Sequence, residues 1–523
     1  MNTSLLRKIR IVLSIVFVIP TTIVLIDFSG LLPENAVNGI IYFQFVPSIL
    51  KSISVFSFIT TGFILVFILT IIFGRVYCST ICPLGFLQDL VNFISGRISK
   101  KKKRRFIFKK EQKALRWTLF AIPVILFLFG SSFGITLLDP YSMYGRISGN
   151  FFRPVLISSN NIAASILESF KIYWIFPFEI HSFNPVPFAI TGSFFLLVLY
   201  LSYFNGRLYC NTVCPVGTFL GFISRFSFFK VRIEKEDCLQ CGICAKDCKA
   251  NCINSDEMSV DMSRCVACFN CIQSCPTEGI KYQFDLPAVQ SGKSFDQSKR
   301  NFLIATGVYF ASVSEVLGQV KKKIVAKKES TVPVFREHAI SPPGSLSLER
   351  FNGTCTACHL CVSACPTQVL QPSFLEYGFL GMLQPRLDNA AGFCNFECKI
   401  CGDVCPTGAI LPLLLKDKKL VQLGKAKFIK ENCIVETEKT DCGACSEHCP
   451  TKAVHMIPYQ GKLFIPEVRD EYCIGCGACE YACPTKPYKS IYIEGNPVHQ
   501  VAKLNQENLI PQKKVDYKEE FPF

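Results

Sequence analysis

GRVYCSTICPLGF, residues 74–86, follows an apolar run and carries Cys78 and Cys82, with Pro83 and Gly85 behind them. The phrase returns as GRLYCNTVCPVGTF, residues 206–219, with Cys210, Cys214, Pro215 and Gly217, every matched position displaced by 132. Proline cannot continue a helix, and glycine lets backbones approach closely. Each cysteine pair therefore sits where an apolar helix ends and a second helix begins.

Working outward, four apolar segments have the ~20 residues that cross a bilayer: 11–28, 53–73, 115–138 and 186–204. Arg7, Lys8 and Arg10 precede the first, and the basic run RISKKKKRRFIFKKEQKALR, residues 97–116, separates the second from the third. Basic loops stay cytoplasmic, so both cysteine phrases belong at the cytoplasmic face. The same location accounts for the net charge of +16 without nucleic acid as a partner. The duplication reads as two membrane repeats, 1–97 and 98–229, in one four-helix α unit. Such repeats commonly pack about a pseudo-twofold axis, which brings Cys78, Cys82, Cys210 and Cys214 together as a candidate membrane redox site.

The 29 cysteines in 523 residues are too many for packing, and a chain of this length and apolarity is no small disulfide-stapled scaffold. Six quartets account for 24: Cys238, Cys241, Cys244 and Cys248; Cys265, Cys268, Cys271 and Cys275; Cys355, Cys358, Cys361 and Cys365; Cys394, Cys398, Cys401 and Cys405; Cys433, Cys442, Cys445 and Cys449; Cys473, Cys476, Cys479 and Cys483. Cys252 is left over. C-x2-C-x2-C-x3-C-P is the bacterial ferredoxin run, whose fourth cysteine serves the neighbouring four-iron cluster. Zinc sites instead draw two cysteines from each of two separated knuckles. Six 4Fe-4S clusters are therefore expected in α+β ferredoxin-like domains, with one further metal or disulfide site at the membrane cysteines. Within 230–285, Cys238, Cys241 and Cys244 should share a cluster with Cys275, and Cys265, Cys268 and Cys271 with Cys248. Lys249 stands where a proline would follow Cys248, so Cys252 competes as fourth ligand.

C-T-A-C-H at 355–359 matches a haem attachment pattern, but Cys361 and Cys365 continue the ferredoxin register and claim those cysteines. Neither haem, flavin nor nicotinamide is expected, and no phosphate-binding glycine pattern points to ATP.

The first 285 residues resemble the NapH family, with four membrane helices, two C-x3-CP motifs and a two-cluster ferredoxin. Residues 298–495 resemble NapG and MauM, four-cluster ferredoxins, most closely at LGKAKFIKENCIVETEKTDCGACSEHCPTKAV and GKLFIPEVRDEYCIGCGACEYACP. The resemblance implies a quinol dehydrogenase component of the bacterial inner membrane. Its partners would be the quinone pool, membrane lipid and a redox protein such as a periplasmic reductase. It also implies nested pairing of the last four quartets, first with fourth and second with third. SKRNFLIATG, residues 298–307, looks like a twin-arginine export motif with Lys299-Arg300. Segment 298–320 is then a signal or anchor, 321–350 a linker, 351–495 the four-cluster domain and 496–523 a tail. Residues 230–285 would be cytoplasmic and 351–523 periplasmic. A thiol–disulfide relay through the four membrane cysteines, or a redox-sensing accessory role, is the alternative.

Overall fold

The computed structural model describes residues 3–27, 30, 32–55, 61–98, 106–179, 184–285 and 332–503. The run around Lys299-Arg300 lies outside them.

The N-terminal apolar run forms α1 (Thr3–Ile26), with Pro20 accommodated inside it. At 1.5 Å per residue its 24 residues span about 36 Å. Glu34–Ile41 (α2) and Phe45–Val55 (α3) follow, bent at 112° to each other. The first repeat then runs through α4 (Gly62–Phe73), the short α5 (Tyr77–Thr80) and α6 (Pro83–Ile98). After α7 (Lys113–Leu128) come α8 (Phe133–Leu138), α9 (Pro140–Ile147), a π-helical turn at Ser148–Phe152 and α10 (Arg153–Ser169). The second repeat is α11 (Pro185–Asn205), a π-helical turn at Tyr209–Val213 and α12 (Pro215–Ser224). The repeats exchange partners: α6 packs on α11 and α12 packs on α4.

Four spans were expected. Two described helices, α1 and α11, are long and apolar enough to cross a membrane, and the bent α2–α3 pair would make a third. The segment expected at 115–138 is broken because Gly130 adopts φ +81 and ends α7, leaving α8 as a separate short helix. Asp139 then caps α9 with Pro140 in the first turn, which forces Asp139 itself out of helical geometry. The segment expected at 53–73 gives a described helix of only 12 residues, α4. The outer faces are apolar: Val12, Val16, Ile19, Val155, Ile162, Leu196 and Phe204 are all exposed, as are Phe170, Tyr173, Trp174 and Phe176 in the turn after α10.

Residues 229–285 fold as a small α+β unit. β1 (Phe229–Ile233) pairs antiparallel with β4 (Ile280–Phe284), placing Val231 opposite Tyr282, and β2 (Ile253–Asn254) pairs with β3 (Ser259–Val260). Residues 332–503 hold three more antiparallel pairs: Leu370–Pro372 with Pro385–Leu387, Val421–Phe428 with Ile491–Val501, and Val454–Pro458 with Phe464–Val468. Residues 332–347, expected as linker, lie against this unit. Gly495 N donates to His338 O at 3.2 Å, and Ser347 caps the helix Leu348–Thr354.

The two cysteine-rich units meet opposite ends of α1. Near its start, Arg7 hydrogen-bonds Gln273 of the first unit. Near its end, Leu25 and the Cys358 carbonyl of the second unit both lie against Gly145.

Candidate metal centres

A C-x2-C-x2-C loop must wrap its backbone so that three sulfurs and several N–H groups face one point. Four quartets do this in the same way. The second and fourth residues after the first cysteine have positive φ: Gln240 and Gly242, Ala267 and Phe269, Ala357 and His359, Gly475 and Gly477. Successive N–H groups in such windings form a concavity for an anion, as at many iron–sulfur sites. The third residue after the fourth cysteine is also left-handed: Asn251, Glu278, Gln368, Gly408 and Lys452. Asn251 counts from Cys248, so Cys248 has the backbone of a fourth ligand and Cys252 does not. Cys252 is buried beside it, with the sulfurs 3.5 Å apart.

The quartets exchange their fourth members. Cys238, Cys241, Cys244 and Cys275 line one cavity. Burial pushes the Cys271 thiol up, and Cys268, Cys265 and Cys248 add to it, so Cys248 completes the second group. The crossing expected for 230–285 is the arrangement found.

In the second unit the expected nesting is corrected. Cys365 lines a cavity with Cys394, Cys398 and Cys401. Burial raises the Cys361 thiol, with Cys358, Cys355 and Cys405 contributing, which places Cys405 in the first group. Likewise Cys479 has Cys476, Cys473 and Cys449 as neighbours, and Cys445 has Cys442, Cys483 and Cys433. Pairing is therefore sequential, first with second and third with fourth. The physical reason is connectivity. Within each sequential pair the fourth cysteine of one run reaches the other run's three, so each pair closes on itself as 238–275 does.

One recurring contact was missed in the sequence although it was legible there. Five of the six fourth cysteines are followed by Pro-Thr, and the threonine hydroxyl meets the cysteine sulfur: Cys275 with Thr277, Cys365 with Thr367, Cys405 with Thr407, Cys449 with Thr451 and Cys483 with Thr485. The exception is Cys248-Lys249. His359, set aside as a haem ligand, is buried with Nε2 2.8 Å from Leu383 O.

The membrane motifs reach each other. Cys78, Cys82, Cys210 and Cys214 are all buried. Cys214 lies within electrostatic reach of Cys210, Cys82 and Cys78. Cys214 is the N-cap of α12, with Pro215 in the first turn and Gly217 N donating to its sulfur at 3.3 Å. Cys82 precedes α6 in the same way and accepts from Gly85 N. The sequence Cys-Pro-x-Gly thus spells a sulfur-capped helix start. The arginine of each phrase serves the other: Arg75 Nη2 donates to Cys210 O at 3.2 Å, and Arg207 Nη1 donates to Cys78 O. Glycine is required opposite each. A Cβ on Gly85 would stand 2.3 Å from Cys78 O, and one on Gly217 2.0 Å from Cys210 O.

The same arginines dock the first ferredoxin unit. Arg75 and Arg116 both donate to Ser263 O at 3.0 Å. Lys249, the residue replacing proline, pairs with Asp89 of α6 at 2.6 Å, and Arg207 N donates to Lys249 O. Arg10 and Arg207 also hold Asp89, at 2.9 and 2.8 Å. Burial would raise that carboxyl, but the Arg207, Lys249 and Arg10 charges outweigh it and keep it well below the usual carboxylate range. At the other end, Ser132 donates to Cys355 O at 2.6 Å and Arg146 to Ala357 O at 3.3 Å, while the Ser142 and Thr356 hydroxyls meet at 2.8 Å.

Among the described residues, no three His, Cys, Asp or Glu side chains converge as a single metal ion requires. This holds for the ferredoxin quartets too. A lone zinc with bonds of about 2.3 Å draws its thiolates closely together, whereas a four-iron cage holds them further apart.

A model of a 4Fe-4S binding domain matches residues 56–102 and again 187–235, the two repeats. Models of 4Fe-4S dicluster domains match 354–410 and 440–486, each enclosing one sequential pair or most of it. The chain is similar to the methylamine utilization ferredoxin-type protein MauM of Methylophilus methylotrophus, 31% identical over 161 residues covering 27% of this chain and 65% of that protein. It is similar to the electron transport protein YccM of Escherichia coli, 24% identical over 251 residues covering 47% of this chain and 61% of YccM. It also resembles an uncharacterized protein of Methanocaldococcus jannaschii, 24% identical over 219 residues covering 42% of this chain and 68% of that protein. The chain thus spans less than two thirds of MauM and of YccM. No solved structure matches it. The chain carries ferredoxin-type 4Fe-4S domains and is related to iron–sulfur electron-transport proteins.

Proposed function

We propose that this chain is a membrane-seated electron carrier that takes electrons from the quinol pool and gives them to a redox partner protein, its six cysteine quartets holding six four-iron clusters. The observation that carries this reading is the seating of the two ferredoxin units at opposite ends of α1, each gripped by buried arginines of the helical unit. Such clusters supply one-electron transfer. The protein contributes the rest: left-handed loops that aim N–H groups inward, burial that keeps water away, and docking contacts that fix the distance from each unit to the helices.

The helical part is read as a four-helix duplicated unit in the bacterial inner membrane, supported by the apolar outer faces and by the aromatic turn at 170–176, which suits a headgroup boundary. Residues 230–285 then face the cytoplasm and 351–523 the periplasm, with the Lys299-Arg300 motif directing export. A reporter enzyme active only in the periplasm, fused to the C-terminus, should be active; silence places both units on one side. For the function itself, full-length protein in lipid nanodiscs should be bleached by a short-chain quinol and show reduced-cluster resonances. Reduction by dithionite but not by quinol would overturn the quinol step.

A further inference from the structure

We infer that Cys78, Cys82, Cys210 and Cys214 together hold one anionic iron–sulfur centre shared between the two repeats, with Arg75 and Arg207 as its counter-charges. The inference rests on the iron–sulfur reading of the chain but not on quinol or on sidedness.

Charge is the first argument. Arg75 is fully buried, and its described partners are Asn211 Oδ1, Ser263 O, Cys210 O and the Cys78 sulfur, none of them a carboxylate. Arg207, also fully buried, shares Asp89 with Arg10 and Lys249, one negative charge against three positive. A buried charge persists only when it is paired. Four neutral thiols, or two disulfides, would leave Arg75 with no negative partner in the helical unit, its electrostatic neighbour across the joint being Cys265 of the first ferredoxin unit. A cluster ligated by four thiolates carries the net negative charge that the pocket lacks.

Hydrogen bonding is the second. Each sulfur receives one N–H: Cys78 from Arg75 Nη2 at 3.8 Å, Cys82 from Gly85 N, Cys210 from Gln88 Nε2 at 3.2 Å and Cys214 from Gly217 N at 3.3 Å. Sulfur of a thiol is a weak acceptor, and four independent donors on four sulfurs suit thiolates. Two of the sulfurs also cap the starts of helices of 16 and 10 residues, where the helix dipole favours negative charge. Because each repeat supplies only two cysteines, neither can complete a four-ligand centre alone, and the reciprocal arginines hold the halves in register.

The test is an iron and sulfide count on full-length protein purified without oxygen. Cys78→Ser and Cys214→Ser should each lose about four irons per chain. The double variant, one cysteine from each repeat, should lose the same four and no more, while resonances of the remaining clusters persist. Losses that add between repeats would mean two separate centres and overturn the shared site. Unchanged iron in all three variants, with mass spectrometry of the alkylated wild type finding a disulfide or four free thiols, would also overturn it. Should the serine variants fail to accumulate, Arg75→Gln keeps every ligand. It should shift one midpoint potential downward, because a counter-charge to the reduced centre is gone, and Arg75→Lys should restore it. A variant with wild-type iron, spectra and potentials would sink the counter-charge role. Failure of quinol to reduce the protein counts against the proposed function and leaves this iron count unaffected.

Discussion

The two ferredoxin units are held on the helical unit by different chemistry. At residues 229–285 the joint is ionic: Asp89 gathers Arg10, Arg207 and Lys249, and Arg75 and Arg116 share Ser263 O. At residues 332–503 it is mostly neutral. Hydroxyls of Ser132, Thr136 and Ser142, with Gln384, satisfy the Cys355–Thr356 turn, and Arg146 and Arg153 cap the carbonyls of Ala357 and Ser363. Both joints grip the backbone of a cysteine loop, so both fix a cluster position. They differ in how failure would spread. Removing one charge from the ionic joint strands others, whereas removing one hydroxyl from the neutral joint leaves its neighbours still bonded.

The largest expected effect follows from that. Asp89→Ala leaves three buried or nearly buried cations without their acid and should cost about 3–5 kcal/mol, the usual penalty for breaking a buried pair. Limited proteolysis should then release residues 229–285 before 332–503; unchanged release order would refute the ionic joint. Lys249→Pro restores the ferredoxin consensus but removes one of the three cations, and should give the same release to a smaller degree.

Arg146→Met tests the other joint. It deletes a charged donor to Ala357 O and should cost about 2–3 kcal/mol, loosening 332–503 and leaving 229–285 seated. Hydrogen exchange across 355–365 is the measurement, and protection equal to wild type would count against a docking role.

Acid should separate the units as well. Residues 229–285 contain no histidine. His499, whose Nε2 lies 2.8 Å from Ser341 Oγ, is pushed down to about 4 by burial. The folded state therefore binds its proton less readily than the unfolded chain, whose histidine titrates near 6.5. Stability is full above about pH 6.5, declines as pH falls below it, and stops declining below about 4. At pH 5.5 the loss at His499 alone should be about 1 kcal/mol, seen as faster exchange around 338–347 and 495–501 but not in 229–285. His499→Gln should remove the response around 338–347 and 495–501 and leave the share owed to His359, which burial also pushes down to about 4; an equal acid response in both units would break the contrast.

The smallest effect is at Ser132→Ala. Its hydroxyl reaches Cys355 O, but Thr136 and Gln384 reach it too, so the cost should be about 0.5–1 kcal/mol. A cost matching Arg146→Met would show the neutral joint to be as cooperative as the ionic one.

Spacing alone was enough to place 24 cysteines in quartets, the duplication by 132 and the crossed ligands of 230–285, because those depend on local winding and on the repeat of a short phrase. It was not enough for the second unit. Spacing alone does not say whether Cys365 serves the run that begins at Cys394 or the one that begins at Cys473, and family resemblance pointed to the wrong one. The helices show the same limit. Residues 115–138 are mostly apolar, but the left-handed turn at Gly130 and the Asp139-Pro140 start divide them. Lys249 looked like a defect in a motif; it is the ferredoxin's half of an ion pair with a residue 160 positions earlier.

The sequence by itself determined which cysteines fall into ferredoxin-type runs, and that two halves of the helical unit are copies. Local rules suffice for this: a thiolate every third residue, proline at a helix start, glycine where a carbonyl passes. Only the tertiary structure decided which sulfurs of the second unit share a site, that Arg75 and Arg207 each serve the opposite repeat, and that Asp89 answers three cations. The arginine and Asp89 partners are separated by between 79 and 160 residues of chain, and such pairing is set by how apolar faces pack, not by any pattern within reach of a motif.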